Sequence, residues 1–273
     1  MKYFDLRKID KNNPDFLEWK RKAEELTEEL NKCATHCERM DFLKNNRHWG
    51  SSIKRILKDT FGNLCWYSDS SGEGQYLDVD HFRPKGSSKN GEGVQLLEGG
   101  YWWLAYDYEN YRLSCEVVNR GGKKDCFPIE DVTVIGNIDL EKATLLDPCV
   151  ESDTRLIGYR EGGQIVPETS DPLDCRRVKE SIRVYRLNDF VDGRNDVIQR
   201  SRFVFGIYKR LLSIDVEDEL FVSCREELKA IIGRKSAYSS VAYNYLMNLS
   251  IELEIESAIN TFKECLNKYY YDK

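Results

Sequence analysis

The amino-acid sequence predicts an α+β protein in which a short strand-bearing core lies between helical regions. Residues 77–82 alternate apolar and polar side chains with a period of two, as in a β-strand whose two faces differ. On both sides of that stretch, apolar residues recur at spacings of three and four, as in amphipathic helices. The predicted organisation is an N-terminal helical arm (1–62), a core (63–150) and a mostly helical C-terminal region (151–273) that packs with the core as one unit.

The predicted helices follow from apolar spacing and from residues that favour helix ends. A first helix begins after Asn13 and extends to about Met40, and a second covers 53–60 after the capping serines Ser51 and Ser52. Two strand-like stretches at 155–159 and 163–166 are followed by helical patterns at 173–185, 192–213, 216–232 and 236–269. Apolar residues of the last pattern form either a docking strip or a buried face: Val241, Tyr245, Leu249, Leu253 and Ile255.

The composition predicts a cytoplasmic protein without membrane association. Charged residues make up 32% of the 273 residues, and the mean hydropathy is −0.60. No run of eighteen apolar residues appears, and the first residues lack the apolar centre of a signal peptide. The nine cysteines are odd in number, so we expect reduced thiols.

The charge distribution bears on nucleic-acid binding. The chain has 41 basic and 47 acidic residues, a formal charge of −6, which argues against binding by bulk electrostatics. Between His81 and Lys124, however, seven Lys or Arg residues face five Asp or Glu residues. We therefore expect weak unaided affinity for nucleic acid and a partner that delivers the substrate.

The residues best suited to chemistry are the neighbours Asp80 and His81, at the end of the predicted strand. Neighbours point to opposite faces of a regular strand, unless a twist or bulge turns both toward one cleft. A carboxylate suits a hard Mg²⁺ or Mn²⁺ ion, and an imidazole can take a proton from water near neutral pH. This pair suggests a metal-dependent nuclease.

Two asparagines extend this candidate site. Asn119 lies in a short helical segment that Gly121-Gly122 is predicted to end, and its carboxamide oxygen could complete an oxygen-ligand site. Asn110 lies at a turn between two tyrosines, where we expect it to bond backbone groups and fix the long loop.

Several motifs between residues 60 and 150 occur in the order found in one family. They are Asp80-His81-Phe82-Arg83-Pro84-Lys85, Gly100-Tyr101-Trp102-Trp103-Leu104-Ala105-Tyr106-Asp107, Asn119-Arg120 with Phe127-Pro128, and Leu146-Asp147-Pro148-Cys149. This series resembles the HNH, or ββα-metal, endonucleases, and in particular the HNH subunits of Septu and retron-associated anti-phage systems. The stretch Asp78-Val79-Asp80-His81 is also similar to the nuclease module of RNA-guided CRISPR effectors.

The resemblance implies a ββα-metal (HNH) nuclease core flanked by helices. It implies His81 as general base, Asp80 and Asn119 as ligands of one Mg²⁺ or Mn²⁺ ion, and Asn110 as the catalytic-site residue that organises the loop. It also implies a defence effector that cleaves nucleic acid, DNA in preference to RNA, with an SMC-like ATPase partner (PtuA-like). Basic residues near these positions are predicted to hold the phosphate backbone: Arg83, Lys85, Arg120, Lys123 and Lys124.

The chain departs from the family in its cysteines. Many HNH proteins bind a structural zinc through two Cys-x-x-Cys pairs, whereas here Cys65 and Cys115 each lack the second cysteine. We therefore expect no structural zinc. Two alternatives stay open: a catalytically silent nucleic-acid-binding or scaffold subunit, and a cysteine-based metal module that would use Cys33, His36 and Cys37 with Cys65 or Cys115.

Overall fold

The computed structural model describes residues 1–50, 52–213, 219–250 and 256–271. Within these ranges the α+β class is confirmed, because helices surround three small antiparallel sheets of two strands each. No helix in the described ranges is both long and apolar enough to cross a membrane.

The N-terminal arm contains three helices, α1 (Pro14–Asn31), α2 (His36–Asn45) and α3 (Ser52–Phe61). The prediction of a single helix to Met40 was wrong. The Thr35 side chain accepts from the Glu38 backbone, and the Glu38 side chain accepts from the Thr35 backbone, which starts a new helix at this point.

The core is a pair of antiparallel strands followed by a short helix. β1 (Leu77–His81) pairs with β4 (Tyr111–Cys115), and β4 leads into α4 (Glu116–Val118). A π-helical turn (Asn119–Lys123) continues α4. A hairpin of β2 (Ser87–Lys89) and β3 (Gln95–Glu98) lies in the connection between the paired strands.

The prediction that Gly121-Gly122 ends this helical segment was wrong. The π-helical turn includes both glycines, and the residue with positive φ is Lys124, which follows them with φ of 47° and ψ of −121°. Gly122 instead allows a close approach, since a Cβ there would lie 2.3 Å from the carbonyl oxygen of Val184.

β1 contributes side chains to two apolar clusters. Val79 packs with the arm, in a cluster that includes Trp19 and Trp66. Leu77 lies two residues earlier, on the same face of the strand, and packs in a second cluster that includes Phe127. The two clusters therefore hold the strand at successive positions.

The C-terminal region contains α5 (Glu151–Thr154), the hairpin of β5 (Ile157–Tyr159) and β6 (Ile165–Pro167), and five further helices. These are α6 (Pro172–Val184), α7 (Val191–Ser213), α8 (Glu219–Ile232), α9 (Ser239–Leu249) and α10 (Glu256–Tyr271). α6 packs against the core, whereas α7 to α10 surround a cluster of their own.

The predicted helix 236–269 is thus described as two helices, with 251–255 outside the described residues. Residues 216–218 of another predicted helix also lie outside them. Of the predicted docking strip, Val241 is fully buried, while Leu253 and Ile255 belong to the part not described.

Candidate active site

Asp80 and His81 line one cleft of about 840 Å³. Asp78 and Val79 line it too, so residues of both strand faces reach the same space at this end of β1. Directly afterwards, Phe82 N–H donates to the Asn110 carbonyl, which extends the β1–β4 register by one pair. Neighbouring residues of β1 therefore reach one cleft although the register of the two strands is regular from Leu77 to His81.

The surroundings of His81 fix which ring nitrogen can act as a base. Nε2 lies 2.9 Å from the carbonyl oxygen of Ala105. Because a carbonyl oxygen only accepts, Nε2 must carry the hydrogen, and Nδ1 keeps its lone pair. Lys85 Nζ lies 3.4 Å from Nδ1. Trp49 and Tyr111 hold the ring, with centroids 5.1 and 5.0 Å away.

Burial and the nearby charge keep His81 neutral. Loss of hydration, followed by the charge of Lys85, lowers the pKa of His81 well below its ordinary value. Burial likewise lowers the pKa of Lys85 to about 8. At neutral pH, Nδ1 is therefore an unprotonated acceptor beside an ammonium group.

Asp80 is a buried carboxylate with two described partners. The Tyr67 hydroxyl donates to Oδ2 at 2.5 Å, and Lys123 Nζ lies 3.1 Å from the same oxygen. Burial and the Asp80 charge raise the pKa of Tyr67 well above its ordinary value, so its hydroxyl remains a donor. Lys123 also donates to the His81 carbonyl at 2.8 Å. These contacts fix the orientation of Asp80.

Asn119 is oriented by a residue that the sequence reasoning missed. Its Nδ2 lies 3.4 Å from Oδ2 of Asp78, and Arg120 lies 3.0 Å from the same oxygen. Because a carboxylate only accepts, the amide group of Asn119 faces Asp78 and its Oδ1 faces away. Asp78 and Asp80 are two residues apart on a strand, and this spacing was the signal for a shared face.

The oxygen donors of this cleft suit a hard divalent ion. Asp78, Asp80 and Asn119 all line the cleft, and carboxylate and carboxamide oxygens are the ligands that Mg²⁺ and Mn²⁺ prefer. Tyr67 and Lys123 occupy only part of the acceptor capacity of the Asp80 carboxylate. The residues therefore fit such an ion, with Lys123 as a competing cation.

Asn110 bonds the backbone at the end of β1. Its Oδ1 accepts from Arg83 N–H at 2.8 Å, and its Nδ2 donates to the Arg83 carbonyl at 3.0 Å. This buried side chain joins the two ends of the loop between the paired strands, and it does not line the cleft.

The five predicted phosphate-binding residues separate into two groups. Lys85, Arg120 and Lys124 line the cleft. Lys123 is fully buried and bonded to Asp80, and Arg83 pairs at 2.5 Å with the buried Glu141, so the predicted backbone contact does not fit either residue. Cationic residues of the arm also line the cleft and were missed, since no local pattern marks them: Lys44, Arg47 and Lys54.

No cysteine of the described residues lines this cleft. Cys65 and Cys115 are both buried, and their mutual hydrogen bond together with burial raises the pKa of Cys115. Cys37 and His36 are exposed at the start of α2. In the described ranges, no three histidine, cysteine or acidic side chains are grouped as a metal site of those residues would require.

The fold and the cleft together define a class of protein. It is an α+β protein in which one histidine, His81, is neutral, has a fixed tautomer, and lies near oxygen ligands and cationic side chains. No protein-family model and no solved structure matches the chain. The chain is 34% identical over 143 residues to the Septu protein PtuB of Bacillus mycoides strain KBAB4, an alignment that covers 50% of this chain and 47% of that protein. The chain thus spans about half the length of this relative, and the predicted resemblance is confirmed as a similarity to PtuB over that span.

Proposed function

We propose that this chain is a metal-dependent HNH endonuclease that hydrolyses phosphodiester bonds of nucleic acid, DNA in preference to RNA. The observation that carries the proposal is the state of His81. Its Nε2 donates to the Ala105 carbonyl, its pKa is low, and its Nδ1 is left as a base in the same cleft as Asp80 and Asn119. A general base must be unprotonated and must reach the attacking water; Nδ1 is unprotonated, and His81 lines the cleft that such a water would enter.

His81 would take the proton of the water that attacks the phosphorus atom. Burial, and after it the positive charge of Lys85, lower the pKa of His81 and make it a weak base in the free protein. An entering phosphate would offset that charge, since its oxygens are negative, and would raise the pKa of His81 toward neutral pH. The base would thus strengthen when substrate is bound.

Asp80 and Asn119 would hold one Mg²⁺ or Mn²⁺ ion. Such an ion supplies a Lewis acid for the phosphoryl and leaving oxygens. Tyr67 and Lys123 keep the Asp80 carboxylate in one orientation, and Asp78 turns Oδ1 of Asn119 outward. The order of β1, β4 and α4 also supports a ββα-metal core, because Asn119 follows directly after the helix.

The similarity to PtuB supports a role as effector subunit of a Septu-type anti-phage system. We propose an SMC-like ATPase of the PtuA kind as its partner. The formal charge of −6 favours such a partner, since the chain as a whole repels nucleic acid.

Purified protein, alone and with a PtuA-type ATPase, should be incubated with plasmid DNA or total RNA in Mg²⁺, Mn²⁺ or EDTA. We expect cleavage that needs the metal and disappears in His81→Ala. His36→Ala is the matched control, because His36 is exposed and outside the cleft. Equal cleavage by His81→Ala and wild type would refute the mechanism.

The competing function is a silent scaffold subunit. The specific observation in its favour is the ion pair of Asp80 with Lys123, which satisfies the carboxylate without a metal. A scaffold should bind the ATPase and cleave nothing under any of these conditions, and His81→Ala should leave its assembly and its biological effect unchanged.

A further inference from the structure

The cleft has a second wall, which the helical arm supplies. Lys44 from α2, Arg47 from the following loop and Lys54 from α3 line the cleft together with residues of β1. Lys44 and Arg47 are exposed, and Lys54 Nζ lies 3.7 Å from the ring centre of Tyr76. Six lysine or arginine side chains and three aspartates line the whole cleft, so it is positive within an acidic chain.

These three cations differ from their neighbours on the arm. Lys20 pairs with Glu24 at 3.8 Å on α1, and Arg55 pairs with Asp15 at 2.5 Å. No carboxylate of the described residues forms an ion pair with the three cleft cations. Their charge is therefore available to an anionic ligand that enters the cleft.

The loop that carries Arg47 is held rigidly. His48 stacks on Trp19, with ring centroids 5.4 Å apart, and its Nε2 lies 2.9 Å from the Trp19 carbonyl oxygen. The Tyr106 hydroxyl donates to the Asn46 carbonyl at 2.8 Å. Because the backbone on both sides of Arg47 is fixed, little ordering of the loop opposes ligand binding.

We propose that Lys44, Arg47 and Lys54 form a phosphate-binding wall that holds the backbone of a nucleic-acid strand while His81 faces one of its phosphates. The inference rests on the proposed nuclease function. Backbone contacts of this kind carry no sequence information but fix where a strand lies relative to the reacting group. A repeating phosphate backbone fits a wall whose cations come from three successive elements of the arm and face the proposed base.

Binding can be measured apart from cleavage in full-length His81→Ala protein with EDTA. The probe is a short fluorescent DNA duplex, followed by anisotropy between about 50 and 200 mM salt. Adding K44Q, R47Q and K54Q should make the slope of the logarithm of the binding constant against the logarithm of the salt concentration shallower. We expect a change of about 0.9 for each lost phosphate contact, or about 3 for all three. The control variant R21Q/K22Q/R55Q removes the same charge from arm residues outside the cleft and should keep the parent slope.

Equal slopes for the two triple variants would overturn the inference. Failure of the His81→Ala parent to bind the duplex would also overturn the inference. The three cations would then be better explained as a contact surface for an acidic protein. Cleavage assays with His81 intact separate the two proposals. Metal-dependent cleavage together with an unchanged salt slope for K44Q/R47Q/K54Q would refute the phosphate-binding wall and support the nuclease. A shallower slope without cleavage would support the wall and refute the nuclease.

Discussion

The replacement Lys123→Met would test whether the candidate site depends on a buried ion pair. The Lys123 ammonium is fully buried, 3.1 Å from Asp80 and 2.8 Å from the carbonyl oxygen of His81. Methionine keeps much of the side-chain volume but removes the charge. Asp80 would then be a buried carboxylate supported by the Tyr67 hydroxyl. Removing one partner of a buried pair destabilises a protein by about 3–5 kcal/mol, and we expect a loss of that size.

Urea unfolding in EDTA, followed by tryptophan fluorescence, is the suitable assay. All five tryptophans lie between residues 19 and 103, so the signal reports the part of the chain that carries the site. Lys124→Met is the matched control, because Lys124 is exposed and its replacement should change the free energy of unfolding by no more than about 0.5 kcal/mol. Adding Asp80→Asn to Lys123→Met should recover most of the loss, since no unpaired charge remains.

If Lys123→Met lowers the free energy of unfolding by less than about 1 kcal/mol, the reasoning is refuted, because an unpaired buried carboxylate should destabilise the fold by more than that. A second readout is Mn²⁺ binding by calorimetry. Lys123 competes with an added cation for Asp80, so the variant should bind Mn²⁺ more tightly than wild type. At a free ion concentration 100 times Kd, binding would restore about 2.7 kcal/mol of stability. Equal Mn²⁺ affinities would contradict the proposed competition.

Three further predictions concern neighbouring residues. Asp78→Asn should weaken Mn²⁺ binding by about 10- to 100-fold in calorimetry, because Asp78 orients Asn119; an unchanged affinity would exclude that role. Asn110→Ala should lower the free energy of unfolding in urea by about 1–3 kcal/mol, because it frees two backbone groups near the end of β1. The pKa of His81 is lowered in the folded chain, so below about pH 6.5 the unfolded chain binds a proton that the folded chain does not bind. The free energy of unfolding should therefore decrease by up to about 1.4 kcal/mol for each unit by which the pH is lowered in this range. His81→Gln should flatten that slope, and an unaltered slope would assign it to other groups.

Local patterns predicted the strand that carries Asp80 and His81. The period of two placed a strand at 77–82, and the structure has Leu77–His81. That Asp80 and His81 share one cleft could not be read from the same pattern. The cleft depends on how distant segments pack around the end of β1, since Met40 of the arm and Asn119 after α4 line it as well.

Long-range packing separates residues that look alike in sequence. Lys123 and Lys124 are neighbours in a basic run, yet one is buried against Asp80 and the other is exposed. The difference comes from the π-helical turn, which ends at Lys123, and from the positive φ of Lys124. Neither feature has a signal in the local composition.

One missed feature did have a local signal. The residues from Thr35 to Glu38 have the spacing of a capping box, which predicts a helix start inside the segment first assigned to one long helix. The apolar spacing, which continues across this segment, predicts one uninterrupted helix and conflicts with the capping box. Lys44 and Arg47 had none, since their place in the cleft depends on how the arm packs on the core more than thirty residues away.

The packing of β1 in two apolar clusters limits whether residues 63–150 can function without the arm. Val79 and Trp66 pack with the arm, and Trp49 of the arm holds the His81 ring from one side. A fragment cut at residue 63 would expose one face of the strand to water and release the histidine. Residues 63–150 moved alone into another protein should therefore give an insoluble product. A transfer that keeps the geometry of the candidate site must include α1 to α3.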